Sequence, residues 1–397
     1  MGALLNRRRY MGGAKRLPYD AEVEWLKSSG TQYIDTLIYG TMDLDYEVIV
    51  KPSNAGTQFQ NILGDRYSST SRRYNLMFSN NGAGYAYCGS NNQVQFSGTQ
   101  KYNNFAIYKK EGLDIFVNGA KSGTLSEQEF TTPNTVLLFG MRDNGSMSNP
   151  FYGYILSCTL SRNGVLLRDF IPVRVGQTGY MYDKVSGNLF GNLGSGTFEV
   201  GNDLQEVEYL ESSGTQYIDS GIECTSDLSV DFKAKWPSDA NASICGGIIQ
   251  ISNGYFRHHC FPYNRTNDKP FYWIQADTDG ASIRNITTSA NTWYEVEIDA
   301  TSGTAKINTT NKTFTPISTL HTTGRNYGIF ARIGGGTIAM QYRASIFAYF
   351  KMYRGGVLLR DFIPVRAGQT GYLYDRVSGH LYPNLGTGSF TLGPDKT

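Results

Sequence analysis

Carboxylates spaced two apart are the first residues in this sequence that could do chemistry. Asp43, Asp45 and Glu47 have that spacing, and so do Glu295, Glu297 and Asp299. On an extended strand, residues two apart share a face. Each set could therefore bring two acids near the separation of about 5–5.5 Å that retaining glycoside hydrolysis requires. The chain contains its own control, because much of it is written twice. Where one copy has the Asp43 set, the other reads Asp227, Ser229 and Asp231; opposite the Glu295 set stand Ala106, Tyr108 and Lys110. Solvent-facing strands carry alternating acids without any catalytic need. Both sets read as strand surface, and no enzymatic activity is expected.

Other reactive residue types are sparse. The four histidines are His258, His259, His321 and His380. Only "RHHC" (Arg257–Cys260) clusters them, it has no counterpart in the other copy, and Asn188 stands where His380 does. "DTDG" at Asp277–Gly280 offers oxygen ligands, but calcium asks for six to eight, so it reads as a polar turn. Five cysteines (Cys88, Cys158, Cys224, Cys245 and Cys260) occupy no equivalent places in the two copies and form no C-x-x-C pair. Buried free thiols of a reducing compartment are expected rather than a disulfide framework. Neither a nucleophile elbow nor a phosphate-cradling glycine loop occurs. No metal or cofactor is expected.

Aromatic residues are the more promising currency, since sugar rings stack on Tyr and Trp while nearby amides meet their hydroxyls. "GYAYCGSNNQ" sets Tyr85 and Tyr87 on one strand face, followed by Asn91 and Asn92; "PFYWIQAD" carries Tyr272, Trp273 and Gln275. These segments diverge most between the copies. Tyr85, Tyr87, Asn91, Tyr272, Trp273 and Gln275 are the expected glycan contacts. Positive charge gathers in Arg7, Arg8, Arg9, Lys15 and Arg16, opposed only by Asp20, while the whole chain carries +2 and 18% charged residues. That balance makes no broad field for nucleic acid. The arm's Arg and Lys could contact phosphates, and a short basic tail that orders on docking into a larger assembly explains them at least as well. The tail has no apolar h-region, and no run approaches a membrane span, so neither a secretory signal nor membrane insertion is expected.

The elements that must position these residues follow from the repeat. "SSGTQYID" occurs at Ser28–Asp35 and again at Ser212–Asp219, an offset of 184 residues; "GVLLRDFIPVR" recurs from Gly164 to Gly356 at an offset of 192. A period that long suits two whole domains: a basic arm over residues 1–20, then domains over residues 21–203 and 204–397. Alternation dominates both copies, as in "MDLDYEVIV" and "SDLSVDFKA", which predicts half-buried strands. Hairpins are expected at Glu111-Gly112, with Asn118-Gly119 ending that hairpin, and at Ser302-Gly303, and tight ones around Ser-Gly in "YMYDKVSGNLF" and "LYDRVSGHLY". "TVLLFG" and "YGIFAR" read as continuous core strands. In "VEWLKSSGTQYID", Val23 and Trp25 are expected inside, Glu22 and Glu24 outside, with Ser-Ser-Gly as the turn. "SGTQ" returns at Ser97–Gln100 outside the repeat, so the phrase is turn chemistry and a folding element, not a site. The expected fold is all-β, an antiparallel β-sandwich in each domain.

The opening "EYLESSGTQYIDSGI", the "YGIFAR" strand and the closing "GYLYDRVSGHLYPNLGTGSF" resemble the laminin-G-like (LamG) domains of the concanavalin A-like jelly-roll class, over residues 21–397. The resemblance implies two tandem jelly rolls. Similar openings and closings occur in proteins of gut bacteria and their phages, often after a basic start like "NRRRYMGGAKRLPYDAEVE". It thus implies a virion structural or appendage protein, anchored to other virion proteins by its arm, displaying domains that bind host surface polysaccharide. A homo-oligomer is the implied assembly. A decoration protein without a ligand is the alternative, and a polysaccharide-cleaving enzyme a third.

Overall fold

The computed structural model describes residues 17–53, 58–67, 72–96, 103–236, 243–251, 254–260, 271–276, 279–283, 286, 288–335 and 341–396. The chain divides into two compact units, one ending at Leu204 and one running from Gln205 to Thr397. Each is an antiparallel two-sheet sandwich of the jelly-roll class, and the described residues contain no helix. In the first unit the larger sheet sets Ala106–Glu111, Leu44–Pro52, Tyr152–Arg162 and Val165–Val175 side by side. The smaller sheet runs Met141–Asp143, Gln60–Arg66, Arg73–Phe78, Gly84–Gly89 and Gln93–Gln95. The second unit repeats the plan, with Tyr294–Asp299, Leu228–Lys235, Ala344–Arg354 and Val357–Ala367 in one sheet. Its other sheet holds Cys245–Ile251, Gly254–Cys260, Tyr272–Ala276 and Asp279–Ile283.

The sheets face one another because each strand has one apolar face. Leu44, Tyr46 and Val48 of the larger sheet meet Leu76, Phe78 and Leu138 of the smaller in one core; Leu228, Val230 and Phe232 meet Phe256, Ile274 and Ile329 in the other. Removing such surfaces from water at roughly 25 cal/mol per Å² is the main driving force. The hairpins expected at Glu111-Gly112 and Ser302-Gly303 form where glycine takes positive φ, 58° at Gly112 and 70° at Gly303, and Asn118-Gly119, with Gly119 at 68°, ends the first by turning into a further antiparallel strand, Ala120–Thr124. All five cysteines are buried and unpaired.

The repeated phrase is a hydrogen-bonded turn. Gln32, 3% exposed, accepts at Oε1 from Ser28 Oγ at 3.1 Å and from the Ser29 amide at 2.9 Å. Gln216 accepts from Ser212 Oγ at 2.9 Å and Ser213 N at 2.8 Å. Gln32→Ala is expected to leave these donors unmet and to cost about 1–3 kcal/mol, read as a shift in urea midpoint. Gln216→Ala should match it in the second unit.

Two expectations need correcting. Trp25 is not inside: it is half-buried on the outer face, edge-on to Tyr154 at 4.7 Å. Glu24 is 5% exposed, and Leu26 takes the core position. A bend at Glu24 breaks the two-residue alternation there, and one residue of phase inverts every face after it. Nor is "YGIFAR" one strand. Thr322–Ile329 ends at Phe330, which holds a left-handed φ of 67°, and Phe139 does the same at 68° after Leu138. Bulky residues rarely adopt that region. Here it redirects the chain, so that Met141–Asp143 and Ala331–Gly335 pair in parallel with Gln60–Arg66 and Cys245–Ile251.

Candidate functional site

That redirection builds the same cross-strand row on the outer face of the smaller sheet in both units. In the first unit Gly64 pairs with Asn75, Asn75 with Tyr87, and Tyr87 with Gln93. A Cβ at Gly64 would lie 2.6 Å from Asn75 Cβ and 3.2 Å from Met141 Cγ, so Met141 flanks the glycine from the redirected strand. In the second unit Arg332 pairs with Gly246, and a Cβ there would lie 2.4 Å from His259 Cβ. His259 then pairs with Trp273, and Trp273 with Ser282. Only glycine permits this approach.

Around the first row the structure gathers an aromatic shelf. Tyr74, Leu76, Ala86 and Cys88 point into the core, which leaves Arg73, Tyr85 and Tyr87 outside. The Tyr85 and Tyr87 rings stack with centroids 5.8 Å apart and planes 29° apart. The Arg73 guanidinium sits 3.8 Å over Tyr87, a close cation–π contact. Burial lowers the Arg73 pKa, and Tyr87 opposes that. With Arg73 and Tyr85 against its faces, Tyr87 is a wall. The half-buried Tyr85 ring, edged by exposed Gln95 and Gln93, is what a flat ligand can cover. Asn91 holds the adjoining turn at φ 51°. Asn92 is tied to Ser126, whose amide donates to its Oδ1 at 2.9 Å.

The second segment is placed otherwise than expected. Tyr272 is 0% exposed, its hydroxyl 3.0 Å from His258 Nε2 and its ring edge-on to that imidazole. It is a core residue, since strand alternation faces it inward, and is not a glycan contact. The side chains of Trp273 and Gln275 lie outside the described residues, as do Arg7, Arg8, Arg9, Lys15, Arg16 and Asp277. His258 and His259 alternate between the two faces: His258 contacts the Thr225 carbonyl inside, and His259 Nδ1 meets Ser243 Oγ. They cannot share a metal, and among the described residues no group of three ligand-type side chains could hold one.

The spaced carboxylates are occupied in ion pairs and turns. Asp43 lies 3.4 Å from Arg162, Asp45 3.1 Å from Lys110, Glu295 2.9 Å from Lys233 and Glu297 3.6 Å from Lys306. A hydrogen bond from Thr41, with Arg162 nearby, holds Asp43 below the usual carboxylate range; Lys233 does the same for Glu295. Burial alone would raise Asp299, yet bonds from Ser302, Thr301 and Ser229 leave it lowered. A general acid needs the opposite shift.

Sequence reasoning passed over Arg73, Gln93, Gln95 and Arg332, because only register brings them to the row. It also passed over a lysine-covered aromatic pair on the other sheet of each unit. Lys51 lies 5.4 Å over Tyr154, beside Trp25, and Lys235 lies 5.0 Å over Trp293, beside Tyr209. The signal was available: Trp25 and Tyr209 occupy the same place in the repeat.

No protein-family model and no curated protein matches the chain. Among solved structures it is similar to domains LG4-5 of the mouse laminin alpha1 chain, at 10% identity and TM-score 0.30, covering 97% of each chain. It is also similar to a variant of the NanB sialidase from Streptococcus pneumoniae, at 11% identity and TM-score 0.27, over 93% of this chain and 75% of that one. The leech intramolecular trans-sialidase is similar at 10% identity and TM-score 0.24, over 94% and 74%. Likeness at this level bears on neither ligand nor chemistry.

Proposed function

We propose that this chain is a non-enzymatic glycan-binding protein of a phage particle, whose two sandwiches present the outer faces of their smaller sheets to host surface polysaccharide. The observation that supports the reading is the half-exposed Tyr85–Tyr87 pair, braced by Arg73 and edged by Gln93 and Gln95. A ring surface beside amides is what saccharide recognition asks for. The basic arm, Arg7, Arg8, Arg9, Lys15 and Arg16, anchors the chain to other virion proteins in this reading. Homo-oligomeric display multiplies weak contacts by avidity.

The test is binding of labelled full-length protein to host cells and to an array of bacterial surface glycans. Tyr85→Ala is expected to weaken a saturable signal about tenfold, the equivalent of about 1.4 kcal/mol. Saturable binding that Tyr85→Ala leaves unchanged would place the site elsewhere. No binding by the wild-type chain would favour a decoration role without a ligand.

A further inference from the structure

The two rows share a backbone and differ in charge. In the first unit the row is neutral: Met141 flanks Gly64, and Asn75 Nδ2 donates to Asn61 Oδ1 at 2.8 Å and lies 3.7 Å from Met141 Sδ. Its neighbouring cations, Arg66 and Arg73, the latter standing where the second unit has Arg257, share Asp143, which lies 2.6 Å from Arg66. In the second unit the equivalent of Met141 is Arg332, which follows the left-handed Phe330 as Met141 follows Phe139. Beyond Gly246 come His259 and, two residues along that strand, Arg257. Where the first unit has the Arg66–Asp143 pair, the second pairs Ile248 with Gly334. The matching carboxylate is gone.

Arg332 is 8% exposed, and its Nε is sealed from solvent with no hydrogen-bond partner. Among the described residues no carboxylate pairs with it. A buried guanidinium without a counter-charge is strongly unfavourable, and an orphaned buried donor calls for an explanation. Folding does not supply one, because the first unit builds the same row with methionine. Arg257 lies near enough to bear on Arg332. Burial and the Arg257 charge lower the Arg332 pKa to about 10, so it stays protonated at neutral pH; burial, Arg332 and Arg257 push His259 well below its usual range. Gly246, at φ 130°, leaves no side chain between Arg332 and His259.

We propose that Arg332, Gly246, His259 and Arg257 form an oxyanion site on the second unit, which takes the carboxylate or sulfate group of an acidic saccharide. A guanidinium fork suits a planar two-oxygen group. The carrier's being a saccharide rests on the function proposed above; the oxyanion site itself does not. The two units then divide their work: the first row takes a neutral ring, and the second reads acid substituents.

Titration calorimetry of the full-length chain tests this with three probes: inorganic sulfate, an oligogalacturonate, and the same oligosaccharide as its neutral methyl ester. Arg332→Met, which restores the residue of the first unit, is expected to weaken binding of the charged probes about tenfold or more. It should also raise the melting temperature without anion, since it removes an unmatched buried charge. Arg332→Lys keeps the charge without the fork and should bind less tightly than wild type; it carries the test if the methionine variant fails to fold. Arg332-dependent binding of oligogalacturonate supports the site and its saccharide carrier, and Arg332-dependent binding of sulfate alone supports the site with a free anion as its ligand. Equal binding of acid and ester, unchanged in Arg332→Met, overturns the site while leaving glycan binding intact. No binding of either charged probe overturns it as well.

Discussion

Asp375→Ala is expected to destabilise the second unit by roughly 3–5 kcal/mol, the range for breaking a buried charged network by removing one partner. Asp375 is 0% exposed. Its carboxylate accepts from the amides of Asp361 at 2.8 Å, Val377 at 3.1 Å and Ser378 at 3.1 Å, with Arg360 3.7 Å away. It thus holds the Val357–Ala367 strand to the turn that closes the next hairpin. Alanine strands three backbone donors and removes the carboxylate facing Arg360, and a buried donor left unmet bears its full desolvation penalty. Asp183 repeats the arrangement with Asp169, Val185, Ser186 and Arg168, so Asp183→Ala should produce a matching loss in the first unit. Urea unfolding of the full chain, with hydrogen exchange to assign the affected strands, is the measurement. Wild-type midpoints in both variants would refute this role of the two aspartates.

Asp65→Asn is expected to stabilise the first unit at pH 8 by up to about 3 kcal/mol and to give no such gain near pH 4. Asp65 is 0% exposed, and burial raises its pKa from 3.8 to about 6 against the opposing bonds from Asn134 and Thr132 and the charge of Arg142. A folded-state pKa above the unfolded one means that the native state prefers the protonated acid. The stabilisation from this group is therefore full below about pH 4 and lost as pH rises through 6. A displacement of that size corresponds to roughly 3 kcal/mol. Asparagine is neutral throughout and keeps an oxygen for the Asn134 amide, 3.2 Å from Asp65 Oδ2. The difference between variant and wild-type stability, followed from pH 4 to pH 8, should open through pH 6. A flat difference would show that Asp65 titrates normally.

The repeat, the all-β class and the role of "SSGTQYID" were legible in the sequence, because these rest on local rules. Alternation with period two marks a strand within one segment, glycine at positive φ marks its turn, and a phrase written twice reports a unit built twice. Tyr85 and Tyr87 were legible as one face of one strand for the same reason. The tertiary structure alone decided what stands beside them. Which face Tyr272 presents depends on the phase of its strand against the core, and a shift of one residue reverses it. The burial of Asp183 and Asp375 is likewise decided only when the fold closes over their turns. The pairing of Arg332 with Gly246 joins segments far apart in the chain through a left-handed phenylalanine, and no local pattern announces that bend. Strand identity is encoded within a segment, whereas a site on a sheet is encoded in register between segments, which is settled only when the whole sandwich packs.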